Sequence, residues 1–400
     1  MYFENMLLEI IIFFFLGIFT GTITGLTPGI HINLVGAILV SLSISIFASV
    51  NTIYFVVFIT AMAITHTFVD FIPSVFLGCP DTDTSLSVLP GHELLKQGKG
   101  YEAVYLTALG GLFSIFILIL IAYPSVILVP KIYFYIQILI PYLLILISIF
   151  MIFSQKKKFS SLLVYFLCGF LGLIVLNIEL KQPLLPLLTG LFGSSTLLLS
   201  IRQKTQIPKQ EINKKIKINP IKPLTGSVFA SFICGFLPGL GSGEAAVLGN
   251  IISKTDRKGF LFLLGSINTL VMGLSFIAFY TISKTRTGVM VSIQQLVGDL
   301  KANLFVLMLI VIFFAGIISF FLTLFLAKLF LKMIEKINYT KLSVFVLGFV
   351  SIIVLIFSGI LGFIIFLIST FTGIYCISLN VRRTTMMACL IVPTIVLYLF

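Results

Sequence analysis

The chain has no tryptophan, only three histidines and only 13 acidic residues among 400. Each scarcity excludes something. Charged residues make up 10%, where a soluble domain carries about a quarter, so the composition does not describe a water-soluble globule. With tryptophan missing, any aromatic belt at a membrane surface falls to Phe and Tyr. His31, His66 and His92 have no metal-ligand spacing, and no Gly-x-Ser-x-Gly, His-Glu-x-x-His or paired catalytic Asp pattern occurs. A metal centre and an intramembrane enzyme are therefore not expected. The five cysteines (Cys79, Cys168, Cys234, Cys376, Cys389) are scattered and read as small apolar fillers. No repeated filter motif marks a channel. The opening Met1-Tyr2-Phe3-Glu4-Asn5 lacks a basic region, so a cleavable signal peptide is not expected.

Long apolar runs are abundant instead. The mean hydropathy is +1.20, 59% of residues are hydrophobic, and runs of roughly 20 residues recur, each long enough for a bilayer core of about 30 Å. They are solid Ile, Leu, Phe and Val, without the polar–apolar alternation of a membrane β-barrel. The expected fold class is an all-α polytopic membrane protein, its chief partner the lipid bilayer. A net charge of +13 raises the question of nucleic acid. Basic residues also gather in the cytoplasmic loops of membrane proteins, and no aromatic–basic interleaving is present, so no nucleic-acid partner is expected.

The basic residues cluster at Lys96 and Lys99, Lys156–Lys158, a stretch from Arg202 to Lys222, Lys254 to Lys258, Lys328 to Lys341, and Arg382-Arg383. Two or four apolar spans separate each cluster from the next, so all can lie on the cytoplasmic side of the cell membrane, with both termini outside. The spans read as 7–27, 29–50, 53–77, 101–127, 131–153, 159–179 and 183–201, then 224–238, 240–253, 259–281, 303–327, 342–358, 360–379 and 384–400. Seven elements per half make the halves inverted-topology repeats of about 12–14 membrane elements in all. The domains are an N-terminal membrane repeat 1–201, a basic cytoplasmic linker 202–223 with three prolines, and a C-terminal membrane repeat 224–400.

Each half opens with the same interruption. Gly25-Leu26-Thr27-Pro28-Gly29-Ile30 is echoed by Gly235-Phe236-Leu237-Pro238-Gly239-Leu240. Proline withdraws a helical N–H and glycine permits unusual dihedrals, so each copy is expected to break a helix. The second pair, at 224–253, is short and suits a re-entrant hairpin, shielded by protein or facing water. Breakers in corresponding places of two membrane halves point to a transporter's substrate site. A tight turn with close glycine packing is the plainer alternative.

Polar residues gather at these breaks. His31 and Asn33 follow the first, and Gly241-Ser242-Gly243-Glu244 follows the second. Helix N-termini there suit an anion. Glu244, a carboxylate at membrane depth, can hold a proton or sodium ion, or cap amides. His66 and Asp70, four apart on one helix face, can relay protons, bind a cation or form a structural pair. Asp81-Thr82-Asp83-Thr84 follows the first break and Lys284-Thr285-Arg286-Thr287 the second, at about the same distance and with reversed charge. Lys284 and Arg286 suit an anionic substrate. Asp81 and Asp83 suit a coupling cation or pairing with those cations; ordinary solvated loop charge is the alternative for both segments.

These elements resemble the large permease (TctA) family of tripartite tricarboxylate transporters, in particular an archaeal branch. The resemblance rests on the two Pro-Gly motifs, on Leu89-Pro90-Gly91-His92-Glu93-Leu94-Leu95-Lys96-Gln97-Gly98-Lys99-Gly100-Tyr101-Glu102-Ala103, and on Gly239-Leu240-Gly241-Ser242-Gly243-Glu244-Ala245-Ala246. It covers most of the chain and implies secondary transport of an anion with the Pro-Gly loops near the substrate. The expected function is a permease for a small organic anion, a carboxylate, coupled to Na+ or H+ by alternating access, with no other cofactor. A homodimer is compatible with this reading. The family's small membrane subunit and binding protein are compatible partners that the chain itself does not imply. The alternative is a translocase for a polyprenyl-phosphate lipid carrier, whose headgroup would suit the same hairpins.

Overall fold

In a hydrocarbon slab every backbone N–H and C=O must be satisfied within the protein, and a helix does this residue by residue. A computed structural model describes residues 2–27, 32, 35–36, 39–40, 50–79, 83–153, 155–180, 182–202, 208–212, 218–235, 241–334 and 339–399. Among the described residues every regular element is helical. In order they are α1 (Tyr2–Leu26), α2 (Thr52–Val69), α3 (Phe71–Leu77), α4 (Val88–Lys96), α5 (Gly100–Phe153), α6 (Lys158–Asn177), α7 (Leu184–Leu188) and α8 (Ser195–Arg202). The second half contains α9 (Ile221–Gly235), α10 (Ser242–Ser253), α11 (Arg257–Ile282), α12 (Gly288–Val297), α13 (Ala302–Ile334), α14 (Tyr339–Ser378) and α15 (Ala388–Leu399). Eight helical segments among the described residues are long and apolar enough to cross a membrane. The chain is a polytopic all-α membrane protein.

The expected spans match these helices with three differences. The spans 101–127 and 131–153 are one uninterrupted helix, α5, of 54 residues that runs through Pro124, Pro130 and Pro141. A proline costs one hydrogen bond, which membrane helices tolerate when neighbours compensate, so it need not end a span. The short helices α4 and α12 were not expected; neither is long enough to cross. A six-residue π-helical stretch, Thr189–Ser194, joins α7 to α8 inside the expected span 183–201. At Gly359, with φ 67° and ψ −168°, α14 turns between its two arms, at the boundary expected between 342–358 and 360–379. The span 29–50 lies mostly outside the described residues, as do Pro28, Gly29, His31, Asn33, Asp81, Thr82, Pro238 and Gly239.

Two groups of helices can be told apart by their pairings, and one buried apolar core runs through both. In the inner group α1 lies on α2 and α9 lies on both α10 and α11. Here α2 packs against α13, and α11 packs against α5. In the outer group α6 packs on α15, and α14 packs on α7, the π-helical stretch and α8. Every one of these last four pairings joins the first half of the chain to the second. Apolar surface gains nothing by leaving lipid, so such contacts depend on close fit and small residues. Gly110 of α5 and Gly265 of α11 face each other's backbones: a Cβ at Gly110 would run into the Phe262 carbonyl, and one at Gly265 into that of Thr107. One turn on, the Ser114 and Ser266 hydroxyls meet at 2.6 Å.

Candidate functional site

The second break is the better described. Its helix α9 stops at Gly235, and α10 starts at Ser242 with Gly241 as N-cap. The Gly241 N–H donates to Glu244 Oε2 at 2.7 Å, so the buried Glu244 reaches back over the amides it was expected to neighbour. Glycine has no side chain to return the bond, so only half of a reciprocal cap is made. The Ser242 hydroxyl donates to Asp83 Oδ1. Asp83 comes from the loop between α3 and α4, in the other half of the chain. Two carboxylates thus stand at the positive end of α10, where a helix favours negative charge.

Arg286 serves the opposite end of the break. Its Nη1 donates to the Gly235 carbonyl at 3.4 Å, at the C-terminus of α9, where a cation is favoured. Asp83 and Glu244 lie within its electrostatic reach, as does Tyr398 of α15. The reversed-sign segments of the sequence therefore do converge: Asp83 of the first and Arg286 of the second sit at the two helix ends of one break. Gly243 packs directly on Met387, which immediately precedes α15.

Other expected residues lie nearby with different duties. Lys284 is exposed and Thr285 half-buried. Thr287 caps α12 by accepting from the Met290 N–H at 3.3 Å. Thr84 is fully buried, and its carbonyl accepts from Ser74 Oγ at 3.2 Å and Ser87 Oγ at 2.7 Å, which pins the loop carrying Asp83.

A second polar centre lies in α2. Buried His66 meets Thr24 of α1 through Nδ1 at 3.1 Å. Asp70 Oδ2 accepts from Asn268 Nδ2 of α11 at 2.9 Å, and the same amide approaches the Thr67 carbonyl at 3.3 Å. Thr67 and Thr269 hydroxyls are 3.3 Å apart, and Ser319 of α13 donates to Thr65 at 2.9 Å. His66 and Asp70, with Thr24, Thr27 and Pro73, line a small pocket at the C-terminal end of α1. Sequence reasoning missed Asn268 and Thr24. The available signal was a lone amide inside a 26-residue apolar run, which is costly unless partnered.

The stretch 89–103 does structural work. Glu93 pairs with Arg257 at 2.7 Å and buried Glu102 with Lys258, tying α4 and α5 to the start of α11. Gln210 of the linker donates to the Leu95 carbonyl at 2.9 Å and accepts from the Gly100 N–H at 2.9 Å. The Glu211 N–H donates to the Gly98 carbonyl at 2.8 Å, and Gly98 has φ +79°, a conformation glycine adopts freely. Burial, with Lys96 and Arg383 nearby, pushes His92 down to about 3, so it is neutral at physiological pH.

A family model described as the tripartite tricarboxylate transporter TctA family matches residues 11–388. The chain belongs to the TctA family. The TctA family is a transporter family and not an enzyme family, and a multi-pass membrane protein fits it. A chain of similar length, the uncharacterized protein MJ1079 of Methanocaldococcus jannaschii, is 33% identical over 410 residues, covering 97% of this chain and 99% of the relative. No solved structure matches.

Proposed function

We propose that this chain is a secondary active permease for a small organic anion, a carboxylate, moved across the cytoplasmic membrane by alternating access with Na+ or H+ coupling. The observation that carries the reading is the convergence at the second break. Arg286, Ser242 and the start of α10 offer a guanidinium, a hydroxyl and a helix N-terminus, the groups that recognise a carboxylate. Asp83 and Glu244 offset part of that charge, so an incoming anion competes with two internal carboxylates and a bound cation relieves the competition. Thr27, at the end of α1, stands in the same relation to the first break.

The halves 1–201 and 224–400 act as inverted repeats, joined by the cytoplasmic linker 202–223, with basic loops inside and both termini outside. The exchanged packing supports this: α2 lies on α13 as α11 lies on α5, and α6 on α15 as α14 on α7–α8. The corresponding turns before α5 and α13 carry Gly98 at φ +79° and Gly298 at φ +63°. The test is uptake of radiolabelled carboxylates into proteoliposomes under an imposed Na+ or H+ gradient. Saturable, gradient-driven uptake is expected. Binding without flux, or flux of a polyprenyl phosphate in place of carboxylates, would overturn the reading.

A further inference from the structure

We infer that the pocket between α1 and α2 is a binding site for a monovalent hard cation of the sodium class, with Asp70 as its charged ligand; the inference rests on the transport reading above and assigns its coupling ion a place. The pocket is lined by Thr24 and Thr27 of the α1 terminus and by His66, Asp70 and Pro73. Four oxygen sources meet there. Asp70 supplies a carboxylate, 2% exposed. Thr24 and Thr27 supply hydroxyls. The α1 helix stops at Leu26, so its negative end lies beside the pocket.

The donor set, a carboxylate with two hydroxyls at a helix C-terminus, suits a metal cation. The single Thr24 hydroxyl hydrogen goes to the Gly21 carbonyl at 3.1 Å. The Thr24–His66 contact therefore requires the imidazole Nδ1–H as donor. Asp70 Oδ2 accepts from Asn268 Nδ2 of α11 at 2.9 Å, which orients the carboxylate. One carboxylate with hydroxyl and carbonyl oxygens matches a monovalent hard ion; a calcium or magnesium site gathers more charge or keeps its waters. Broken-helix C-termini serve as sodium ligands for the same electrostatic reason.

The site is tested on the purified full-length chain by thermal unfolding in NaCl against choline chloride at equal ionic strength, with 22Na+ binding as the second readout. Sodium raises the Tm of the wild type in a concentration-dependent way. Asp70→Asn weakens the apparent sodium affinity at least about tenfold, Thr27→Val weakens it several-fold, and exposed Asp299→Asn leaves it unchanged. If Asp70→Asn does not fold, Thr27→Val decides. No sodium-specific stabilisation, or a wild-type response in both Asp70→Asn and Thr27→Val, overturns the site. Anion uptake driven by a pH gradient in sodium-free buffer removes this site and leaves the transport reading standing. Sodium binding lost in Asp70→Asn, with no anion carried by the wild type, does the reverse.

Discussion

The spans Thr52–Leu77 and Arg257–Ile282 have the same 26-residue length, and each is buried on nearly all sides. Each follows a broken helix and precedes a charge–Thr–charge–Thr segment. Their chemistry differs. The first carries His66 and Asp70, ends its α2 portion at Asp70 and resumes through Pro73. The second has Val271 and Ser275 at the corresponding places, contains no carboxylate or imidazole and runs unbroken. Its polar side chains, Asn268 and Thr269, turn to serve the first span. A buried charge is expensive in a membrane. A doubled architecture can keep the ionisable groups in one copy and use the other copy to solvate them with amides and hydroxyls.

That contrast can be broken by experiment. The largest effect is expected from Asp70→Asn, which removes the charge and keeps the shape: cation-driven accumulation of substrate falls roughly a hundredfold, the upper range of a coupling between sites, in a gradient-driven uptake assay. Arg286→Lys comes next. A point charge replaces a two-pronged donor, and half-saturation for the anion rises about tenfold with the melting temperature held. Asn268→Leu strips Asp70 of its donor and lowers stability by about 1–3 kcal/mol, read in a denaturation series. Ser275→Ala, at the place equivalent to Asp70, costs less than about 1 kcal/mol because its hydroxyl bonds only the Met272 carbonyl of its own helix. Equal losses in these two variants would remove the asymmetry between the spans.

A separate effect, seen only at acid pH, lies away from both spans. His92 is held neutral by burial, near 3 in the fold against 6.5 unfolded. Above about pH 6.5 both states are neutral there and the full stability is present. As pH falls toward 3 the unfolded chain gains a proton that the fold refuses, and stability declines by up to about 1.4 kcal/mol per pH unit. His92→Gln flattens that part of the profile in a pH series of melting temperatures.

Much of this was legible beforehand because membrane helices announce themselves by length and apolarity. The turn at Gly359 was read correctly since glycine between two apolar runs has few other uses. Pro130 misled, because a rule that ends helices in water is weaker where neighbours satisfy the freed carbonyl. The helices α4 and α12 gave no signal of spanning length. At the site, the reversed-charge repeat anticipated that Asp83 and Arg286 would serve the same break. Sequence pattern could not say that the Thr287 hydroxyl would cap α12, or that Glu244 would fold back on Gly241, since those depend on local dihedrals. Asn268 was invisible because one amide has no periodicity.

The unbroken α5 has a mechanical consequence. At about 1.5 Å per residue its 54 residues measure about 80 Å, well over twice the hydrocarbon thickness of about 30 Å. It starts among the inner helices and ends against the outer ones with no loop between. Any displacement of one group relative to the other has to bend this rod, and Pro124, Pro130 and Pro141, each missing a backbone donor, are where it bends most easily.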